Sequence, residues 1–448
     1  MASTDLRLTG QTPTNNKIFT FSAWVKKGAS GYQTIMSWEN NSSSSQTFRI
    51  NTKNDDVLQI LDYSGGVVMD YTTTQVFRDT SAWYHIVVAV DTTNATANDR
   101  TKLWVNGERV TSFGTQTTYS LNASTQAQQS NYFCAIGSVN SLYYWNGSMA
   151  HVHFIDGTAY DADTFGETDA TTGIWKPKTA PSVTYGTNGF FLKFENSGAF
   201  GTDSSGNGNN FTVNGTMTQT IDTPDNVFAT WNPLAGFALP NGGFSNGNTT
   251  ATQSGNTSWT GAISNLGVNS GKYYCEIKWT TTGQYSLFGF IPSSEIDHLG
   301  ALGQTGNTHY GLYYSGDLFV LENGSGSSVS SFSSAISSGD IVQLALDKDN
   351  NKMYWGINGT WQNSADPSAG TGGYSIGYLT DEYWHFAINQ RTDSGNGTMQ
   401  INFGNGYFGT TAVSSAQNPD DGIGIFEYSP PTGYKALCTK SINSQEYD

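Results

Sequence analysis

Ile18-Phe-Thr-Phe-Ser-Ala-Trp-Val25 has the pattern of a β-strand with one apolar face. The residues of that face fall at every second position and are Phe19, Phe21, Ala23 and Val25. Because successive side chains of a strand point to opposite sides of a sheet, this period of two predicts a strand with one face in a core. Lys26-Lys-Gly28 then ends the strand.

Two more strands are predicted in the same half of the chain. Trp83-Tyr-His-Ile-Val-Val-Ala-Val90 is an almost unbroken apolar run, which is typical of a strand buried between two layers. Arg100-Thr-Lys-Leu-Trp-Val105 leads into Asn106-Gly107, a dipeptide that strongly predicts a hairpin turn. No stretch of the chain sustains a helical period beyond two or three turns, so the sequence predicts an all-β protein.

The composition favours two antiparallel, jelly-roll-like β-sandwich domains in tandem. At 448 residues the chain is too long for one hydrophobic core. Aromatic residues make up 13% and charged residues 12%, with 51 glycines against 11 prolines, which favours strands and tight turns. The net charge of −16 argues against binding nucleic acid or anionic lipid, whose phosphates attract clustered Lys and Arg.

The chain shows no export or membrane signal. Its first residues lack the apolar core of a signal peptide, and no apolar run reaches transmembrane length, so we expect no membrane insertion. Cys134, Cys275 and Cys438 are too widely spaced for a disulfide framework, and we interpret them as buried thiols. These features predict folding in a reducing cytoplasm with later exposure to the outside, as occurs for virus particles released by lysis.

Composition shifts predict the domain boundaries. The strand pattern stops from Ala229 to about Asn256 and resumes at Gly271-Lys-Tyr-Tyr-Cys-Glu-Ile-Lys-Trp279. Near the end, Pro430-Pro431 and the apolar Tyr434-Lys-Ala-Leu-Cys438 indicate a strap packed on a domain or partner. We predict a first sandwich over residues 1–228, a linker or first strands of the second domain over 229–257, a second sandwich over 258–411 and a C-terminal strap over 412–448.

Segments of the first half, in order, resemble the laminin-G-like branch of concanavalin A-like lectins. They are Phe19-Thr-Phe-Ser-Ala-Trp-Val25, Trp83-Tyr-His-Ile-Val-Val-Ala-Val-Asp91, Lys102-Leu-Trp-Val-Asn-Gly107, Ile136-Gly137 and Trp145-Asn-Gly-Ser-Met-Ala-His-Val-His-Phe154. One departure is that Phe191-Leu-Lys-Phe-Glu195, with Asp203-Ser-Ser-Gly-Asn-Gly-Asn209, usually opens such a domain but here follows it. Either the domain is permuted, or this segment is a strand that closes the sheet from the other end.

Segments of the second half resemble the SPRY domain, a sandwich known mainly as a protein-interaction module. They include Gly271-Lys-Tyr-Tyr-Cys-Glu-Ile277, Phe288-Gly-Phe-Ile291, Tyr310-Gly-Leu-Tyr-Tyr314, Gly339-Asp-Ile-Val-Gln-Leu-Ala-Leu-Asp347, Tyr354-Trp-Gly-Ile-Asn-Gly359 and Ile401-Asn-Phe-Gly404. Together with Trp231-Asn-Pro-Leu234 between the domains and Phe426 to Lys440 after them, this arrangement resembles structural proteins of tailed phages, marine ones in particular.

Catalytic motifs are weak. Glycosidases of lectin-like fold place carboxylates on alternate residues of one strand, and the closest pattern here is Glu295-Ile-Asp-His298. It follows Pro292-Ser-Ser in the second domain, so we interpret it as a loop and expect no enzymatic activity. The sequence contains no Gly-x-Ser-x-Gly elbow, phosphate loop or Cys-x-x-Cys pair.

Two segments could hold a metal. Alternation places His151 and His153 on one strand face, but Val152 and Phe154 supply the core face, so we interpret the histidines as a solvent-facing pair. Asp203, Asn207 and Asn209 lie in a glycine-rich loop whose oxygen-bearing side chains suit calcium. The alternative for that loop is an Asx turn, in which these side chains bond their own backbone.

Aromatic residues next to turns are the candidate binding residues, because sugars stack on aromatic faces and protein interfaces favour Trp and Tyr. The candidates are Tyr143, Tyr144 and Trp145 in the first domain, and Trp361, Tyr383 and Trp384 in the second. Packing at the ends of the sandwiches is the alternative role for each of them.

The leading hypothesis is a non-catalytic surface protein of a tailed-phage virion, tail-associated or attached to the capsid. It would act as an adhesin whose partners are a host surface glycan or receptor and other virion proteins, and homo-oligomerisation is left open. The alternatives are a capsid decoration or cementing protein that binds only virion proteins, and a polysaccharide-degrading depolymerase. We predict that deleting the strap from about Asp420 onward blocks assembly and leaves both sandwiches folded.

Overall fold

The computed structural model describes residues 3–40, 43–130, 132–170, 173–235, 241–255, 258–280, 284–297, 302, 308–393 and 395–447. The chain divides into two compact units, Met1–Gln219 and Thr220–Asp448. Each unit contains two large β-sheets whose strands pair almost entirely antiparallel. The all-β, jelly-roll-like fold class is confirmed.

The first unit pairs an eight-stranded with a six-stranded sheet, with strands numbered along the chain. The eight-stranded sheet has the order β10 (Phe113–Thr117), β6 (Val67–Val76), β5 (Val57–Ser64), β4 (Ser43–Thr52), β3 (Gln33–Asn40), β11 (Tyr132–Ile136), β1 (Asp5–Thr9) and β16 (Thr212–Asn214). The six-stranded sheet has the order β15 (Phe190–Leu192), β12 (Gly147–Asp156), β2 (Ile18–Lys27), β7 (Trp83–Asp91), β8 (Thr101–Val105) and β9 (Glu108–Arg109). A separate hairpin is formed by β13 (Gly166–Thr168) and β14 (Trp175–Pro177), and short 3₁₀ turns cover Ala97–Asp99 and Ala162–Thr164.

The predicted apolar face of β2 lies in the core between the two sheets. Phe19 packs edge-on against Phe48 of β4 at 5.1 Å and stacks on Phe154 of β12 at 5.5 Å between ring centroids. The strand lies between β12 and β7, so its backbone is paired on both sides. Burial of one such side chain stabilises the fold by roughly 2–3 kcal/mol. Because all of the alternating apolar side chains are buried together only when the segment forms a strand, the alternation alone is enough to predict it.

A third layer covers the outer face of the six-stranded sheet. Phe165 and Trp175, from the segment after β12, pack with Val87 and Ile155 in a small apolar cluster. This layer buries His153, which hydrogen-bonds Tyr185 and stacks on Phe191 at 3.8 Å. The expected solvent-facing histidine pair is therefore wrong for His153, because the face opposite the main core is itself covered.

One edge of each large sheet of the first unit is formed by the segment that follows β14 in sequence. Phe190–Leu192 pairs with β12 at the edge of the six-stranded sheet, and Thr212–Asn214 pairs with β1 at the edge of the eight-stranded sheet. This matches the alternative in which Phe191 lies on a strand that closes the sheet from the other end.

The second unit also pairs two large sheets. One has the order β17 (Phe244–Ser245), β18 (Thr250–Ser254), β30 (Asn396–Asn402), β20 (Lys272–Trp279), β25 (Ile341–Asp347), β26 (Lys352–Ile357) and β27 (Thr360–Trp361), with β28 (Tyr374–Ser375) beside β26 and β33 (Lys435–Ala436) beside β20. The other has the order β19 (Thr260–Ile263), β29 (Trp384–Thr392), β21 (Gln284–Pro292), β22 (His309–Tyr313), β23 (Leu318–Glu322) and β24 (Ser325–Val329). A small hairpin, β31 (Tyr407–Phe408) and β32 (Thr411–Ala412), a 3₁₀ turn at Ser293–Glu295 and the helix α1 (Thr439–Tyr447) complete the unit.

Residues near the expected domain boundary belong to the second unit. Phe228 is buried and forms a β-bridge with Cys438, so the unit begins earlier than the expected residue 229. Of the two alternatives for 229–257, the described part contains the first strands of the second sandwich, β17 and β18. Trp231 within it is buried in the main core of that sandwich.

The three cysteines are buried free thiols, as predicted. Cys134 lies in the first core and Cys275 in the second core, whereas Cys438 belongs to the C-terminal segment and is buried in the cluster that this segment forms with the sheet. Burial raises the pKa of all three thiols. The described part of the chain contains no helix that is long and apolar enough to cross a lipid bilayer.

Candidate functional site

The turn between β11 and β12 carries the first group of predicted aromatic residues. Three non-glycine residues in it, Asn140, Ser141 and Tyr143, have positive φ angles of 53°, 54° and 51°. A β-bridge joins Val139 to Leu142 and closes the turn on itself. Positive φ angles are unfavourable for non-glycine residues and persist only where surrounding contacts hold them, so the turn must be held by its neighbours.

A buried glutamate on β3 holds this turn. Glu39 accepts a hydrogen bond from the backbone N–H of Asn140 at 2.7 Å through Oε2, and from the hydroxyl of Ser37 at 2.6 Å through Oε1. The Ser37 hydroxyl also lies 2.8 Å from the carbonyl of Ser138. The turn therefore lies across the outer face of the eight-stranded sheet. Burial raises the pKa of the Glu39 carboxyl, against the hydrogen bonds that lower it.

A second carboxylate holds the turn from β1. Asp5 Oδ2 accepts a hydrogen bond from the hydroxyl of Ser138 at 2.6 Å and from Nη2 of Arg7 at 2.8 Å. Arg7 also donates to the hydroxyl of Ser141 at 2.7 Å. Burial raises the pKa of Asp5, but hydrogen bonds from Arg7, Ser138 and Asn214 outweigh it and leave that pKa lowered. The turn is thus fixed by charged groups from two strands.

The tip of the turn presents an apolar surface. Leu142 is 56% exposed and Tyr143 is 51% exposed. Tyr143 packs against the ring of Tyr32, which precedes β3, with the ring centroids 4.7 Å apart. We call Tyr32, Leu142 and Tyr143 the aromatic tip. Tyr144 and Trp145 are half-buried, and Trp145 packs against the main core, so Tyr143 is the most exposed of the three predicted residues.

Two members of this site were not predicted from the sequence. Tyr32 is distant from Tyr143 along the chain, and only the pairing of β3 with β11 brings them together. Arg49 of β4 lies over the ring of Tyr32, with its guanidinium carbon 6.0 Å from the ring centroid. A usable signal was present for Arg49, since its neighbours Phe48 and Ile50 both enter the core and alternation places it on the outer face.

The predicted calcium loop is organised by internal hydrogen bonds. Asp203 accepts from the backbone N–H groups of Phe191 and Ser205 through Oδ1, at 2.9 and 2.8 Å. Its Oδ2 accepts from the Ser205 hydroxyl at 2.8 Å and the Asn209 N–H at 2.9 Å. The side-chain amides of Asn207 and Asn209 donate to backbone carbonyls, including that of Gly189. This is the arrangement of the Asx-turn alternative, and calcium binding stays a prediction. Among the described residues, no group of three or more His, Cys, Asp and Glu side chains is placed to hold a metal ion.

The predicted aromatic residues of the second unit do not form one exposed surface. Trp384 is 0% exposed and donates its indole N–H to the Leu379 carbonyl at 3.0 Å. The expectation that Trp384 faces a ligand is wrong, because alternation along β29 sends it into the core with Phe386. Trp361 is half-buried and packs near Tyr274, whereas Tyr383 is 50% exposed.

The C-terminal segment covers the outer face of the nine-stranded sheet. Glu276 of β20 accepts the backbone N–H groups of Glu427 and Tyr428 at 2.9 and 2.8 Å, and the hydroxyl of Tyr274 at 2.9 Å. Burial raises the pKa of Glu276 to about 7, against these hydrogen bonds that lower it. Phe426 packs on Tyr274 at 4.9 Å between ring centroids. The segment is therefore part of the second unit rather than a separate appendage.

The two carboxylates of the Glu295-Ile-Asp-His298 pattern differ in their exposure to solvent. Glu295 is buried at the end of the 3₁₀ turn Ser293–Glu295, whereas Asp297 is exposed. His298, the last residue of the pattern, lies outside the described residues. Glu295 and Asp297 therefore do not lie on one exposed face, as the two carboxylates of a glycosidase would.

Comparison with known proteins finds a family match within the first unit. Residues 2–164 match the laminin-G model of the concanavalin A-like lectin/glucanases superfamily. The mouse laminin alpha1 chain, domains LG4-5, is similar at 10% identity over 89% of this chain and 85% of that chain, with a TM-score of 0.30.

Two further solved structures resemble part of the chain. The SPRY domain of human HERC1 is similar at 17% identity over 38% of this chain and 96% of that domain, with a TM-score of 0.26. The PSpry domain of TRIM65 is similar at 12% identity over 39% of this chain and 88% of that domain, with a TM-score of 0.27. No curated protein matches the chain significantly. The lectin-type fold points to binding of carbohydrate or protein.

Proposed function

We propose that the protein is a non-catalytic binding protein that holds a saccharide at the aromatic tip. The observation that carries this proposal is the half-exposed ring of Tyr143, packed on Tyr32 and fixed on a turn held by Glu39 and Asp5. Sugar rings stack their C–H faces on aromatic rings, and a turn that is already fixed loses little conformational entropy on binding.

The carboxylates beside the aromatic tip support binding rather than hydrolysis. Both oxygens of Glu39 accept hydrogen bonds from the protein, and Asp5 is bound by Arg7, Ser138 and Asn214. A glycosidase needs a carboxylic acid and a second carboxylate free to reach the sugar, about 5 to 9.5 Å apart. Groups that hold the turn are not free to take either role.

We further propose that the protein is displayed on the surface of a tailed-phage virion, where it contacts a host surface glycan and other virion proteins. This placement rests on the resemblance of the tandem arrangement and of its flanking segments to structural proteins of tailed phages.

The test is a glycan-array screen of the full-length protein against bacterial surface polysaccharides, followed by calorimetry with the best ligand. Tyr143→Ala is expected to weaken binding at least tenfold, since it removes the exposed stacking ring. Leu121→Ala, which shortens another exposed apolar side chain of the first unit, is the matched control and is expected to have no effect. Silence across the array, or equal loss in both variants, would contradict the proposal and favour a protein that binds only virion partners. Loss confined to Tyr383→Ala would move the site to the second unit.

A further inference from the structure

One row of side chains crosses the outer face of the eight-stranded sheet beside the aromatic tip. In strand order it comprises Arg7, Ala135, Ser37, Arg49, Leu61 and Asp70, each directly opposite the next. The middle of the row is made of small or apolar side chains, so its polarity is concentrated in two arginines and one aspartate.

The two arginines of this row differ in their partners. Arg7 donates from Nε and Nη2 to Asp5 and is neutralised by it. Arg49 forms no ion pair with any carboxylate in the described ranges, and its buried Nε–H has no acceptor from the protein. Arg49 contacts Tyr32, through a side-chain hydrogen bond and with its guanidinium carbon 6.0 Å from the ring centroid.

The aspartate at the far end of the row does not supply the missing partner. Asp70 accepts from the Gln59 amide at 2.9 Å through Oδ2 and from the Thr72 hydroxyl at 2.8 Å through Oδ1. Its oxygens are therefore engaged on its own side of the sheet. In a chain with 36 acidic and only 20 basic Lys and Arg residues, a half-buried arginine without a carboxylate is a position where an anionic ligand is favoured.

We propose that Arg49 and the aromatic tip together recognise an acidic saccharide through its carboxylate. The sugar ring stacks on Tyr143, which packs against Tyr32, while the planar guanidinium of Arg49, whose carbon lies 6.0 Å from the centroid of the Tyr32 ring, pairs with the carboxylate. Burial raises the pKa of Tyr32, against the side-chain hydrogen bond from Arg49 that lowers it. This inference rests on the proposed saccharide site and specifies the class of sugar that it takes.

The experiment compares matched ligands by calorimetry with the full-length protein. The probes are short oligogalacturonides and acidic bacterial oligosaccharides, each as the free acid and as its neutral methyl ester, together with sulfated neutral oligosaccharides. The free acids are expected to bind at least tenfold more tightly than their esters. Arg49→Gln is expected to lower the affinity for the free acids to that for the esters. Arg49→Lys is expected to retain part of the preference for the free acids, since lysine keeps the positive charge but lacks the planar guanidinium with its paired N–H donors.

Lys102→Gln is the control, because it removes one positive charge from the other sheet of the same unit. Thermal unfolding of each variant shows whether the fold is intact. Equal affinity for acid and ester, a preference that survives Arg49→Gln, or failure of every acidic probe to bind would each overturn the inference. Tighter binding of the sulfated probes would also overturn it as a carboxylate site. Loss of neutral and acidic ligands alike in Tyr143→Ala, without any acid preference, would leave the saccharide site standing and remove only the role of Arg49.

Discussion

The aromatic tip of the first unit and the C-terminal segment of the second are held in the same way but end differently. In each, a glutamate on the outer face of a sheet, Glu39 or Glu276, is buried by an irregular segment whose backbone N–H groups it accepts. The tip leaves Leu142 and Tyr143 in solvent, whereas the C-terminal segment buries Phe426 and Tyr434 against the sheet. The same contact, a buried glutamate that accepts hydrogen bonds from backbone N–H groups, thus holds an exposed apolar surface in the first unit and a segment that covers the sheet in the second.

Removing the sealing segment is the strongest test of this comparison. Deletion from Asp420 onward would expose Tyr274, Ala345 and Tyr354 and remove Phe426 and Tyr434 from their cluster. Each lost large apolar side chain costs roughly 2–3 kcal/mol, and a domain is stable by only about 5–15 kcal/mol. We therefore expect the second unit not to fold, in contrast to the sequence-based expectation that both sandwiches survive this deletion.

The measurement for this deletion is scanning calorimetry, which should retain the transition of the first unit and lose that of the second. A control deletion that begins at residue 445 keeps the buried cluster through Cys438 and should leave both transitions in place. Two intact transitions in the longer deletion would show that the segment is a detachable appendage.

Replacing the two glutamates separates their contributions. Glu276→Ala leaves two N–H groups and the Tyr274 hydroxyl without an acceptor, so we expect a loss of roughly 3–5 kcal/mol in the second unit. Glu39→Ala leaves only the N–H group of Asn140 without an acceptor, because the Ser37 hydroxyl can still donate to the Ser138 carbonyl, and should cost the first unit about 2 kcal/mol. Urea unfolding gives both values, and hydrogen exchange at Asn140 should accelerate in Glu39→Ala alone. A larger loss for Glu39→Ala than for Glu276→Ala would reverse the comparison.

The pH dependence of the second unit should reveal Glu276. Its pKa is raised from 4.5 to about 7 by burial, so the folded state binds this proton more tightly than the unfolded state does. Stability from this group is present below pH 4.5 and falls as pH rises toward about 7, at no more than about 1.4 kcal/mol per pH unit. Unfolding of the wild type and of Glu276→Gln at pH 5 and pH 7.5 isolates the effect from the other acidic groups. An equal pH slope in the two proteins would contradict it.

The smallest expected effect concerns the loop around Asp203, a third carboxylate that accepts backbone N–H groups. Because both of its oxygens already have protein donors, we expect the melting temperature of the first unit to be the same in calcium and in a chelator. Asp203→Asn should lower that temperature in both media. A calcium-dependent rise of several degrees that Asp203→Asn abolishes would establish the calcium site instead.

The position of a side chain in or out of the core was predicted most reliably for strands that bury one face. The alternation of Phe19 and Phe21 placed β2 in the core, and the same rule, applied to Trp384 and Phe386, would have placed Trp384 inside rather than at a ligand surface. His153 could not be placed in this way, because its burial depends on a third layer that packs on the face opposite the core.

The candidate site was predicted only in part. Tyr143 follows a turn signal and could be found locally, whereas Tyr32 and Arg49 join it through the pairing of β3 with β11 and β4. The contacts of Glu39 and Glu276 with backbone N–H groups of distant segments also carry no local pattern. Such contacts depend on strand order, which residue periodicity does not determine.

The placement of the three thiols gives the molecule an internal set of unfolding reporters. Cys134 lies in the first core, Cys275 in the second, and Cys438 in the C-terminal segment where it packs on the sheet, and all three are buried with raised pKa values. An alkylating reagent reacts with the thiolate form of cysteine, so a buried cysteine reacts only when the structure around it opens to solvent and the thiol ionises. Peptide-resolved alkylation would therefore record the opening of each layer separately, with Cys438 timing the release of the C-terminal segment from its sheet.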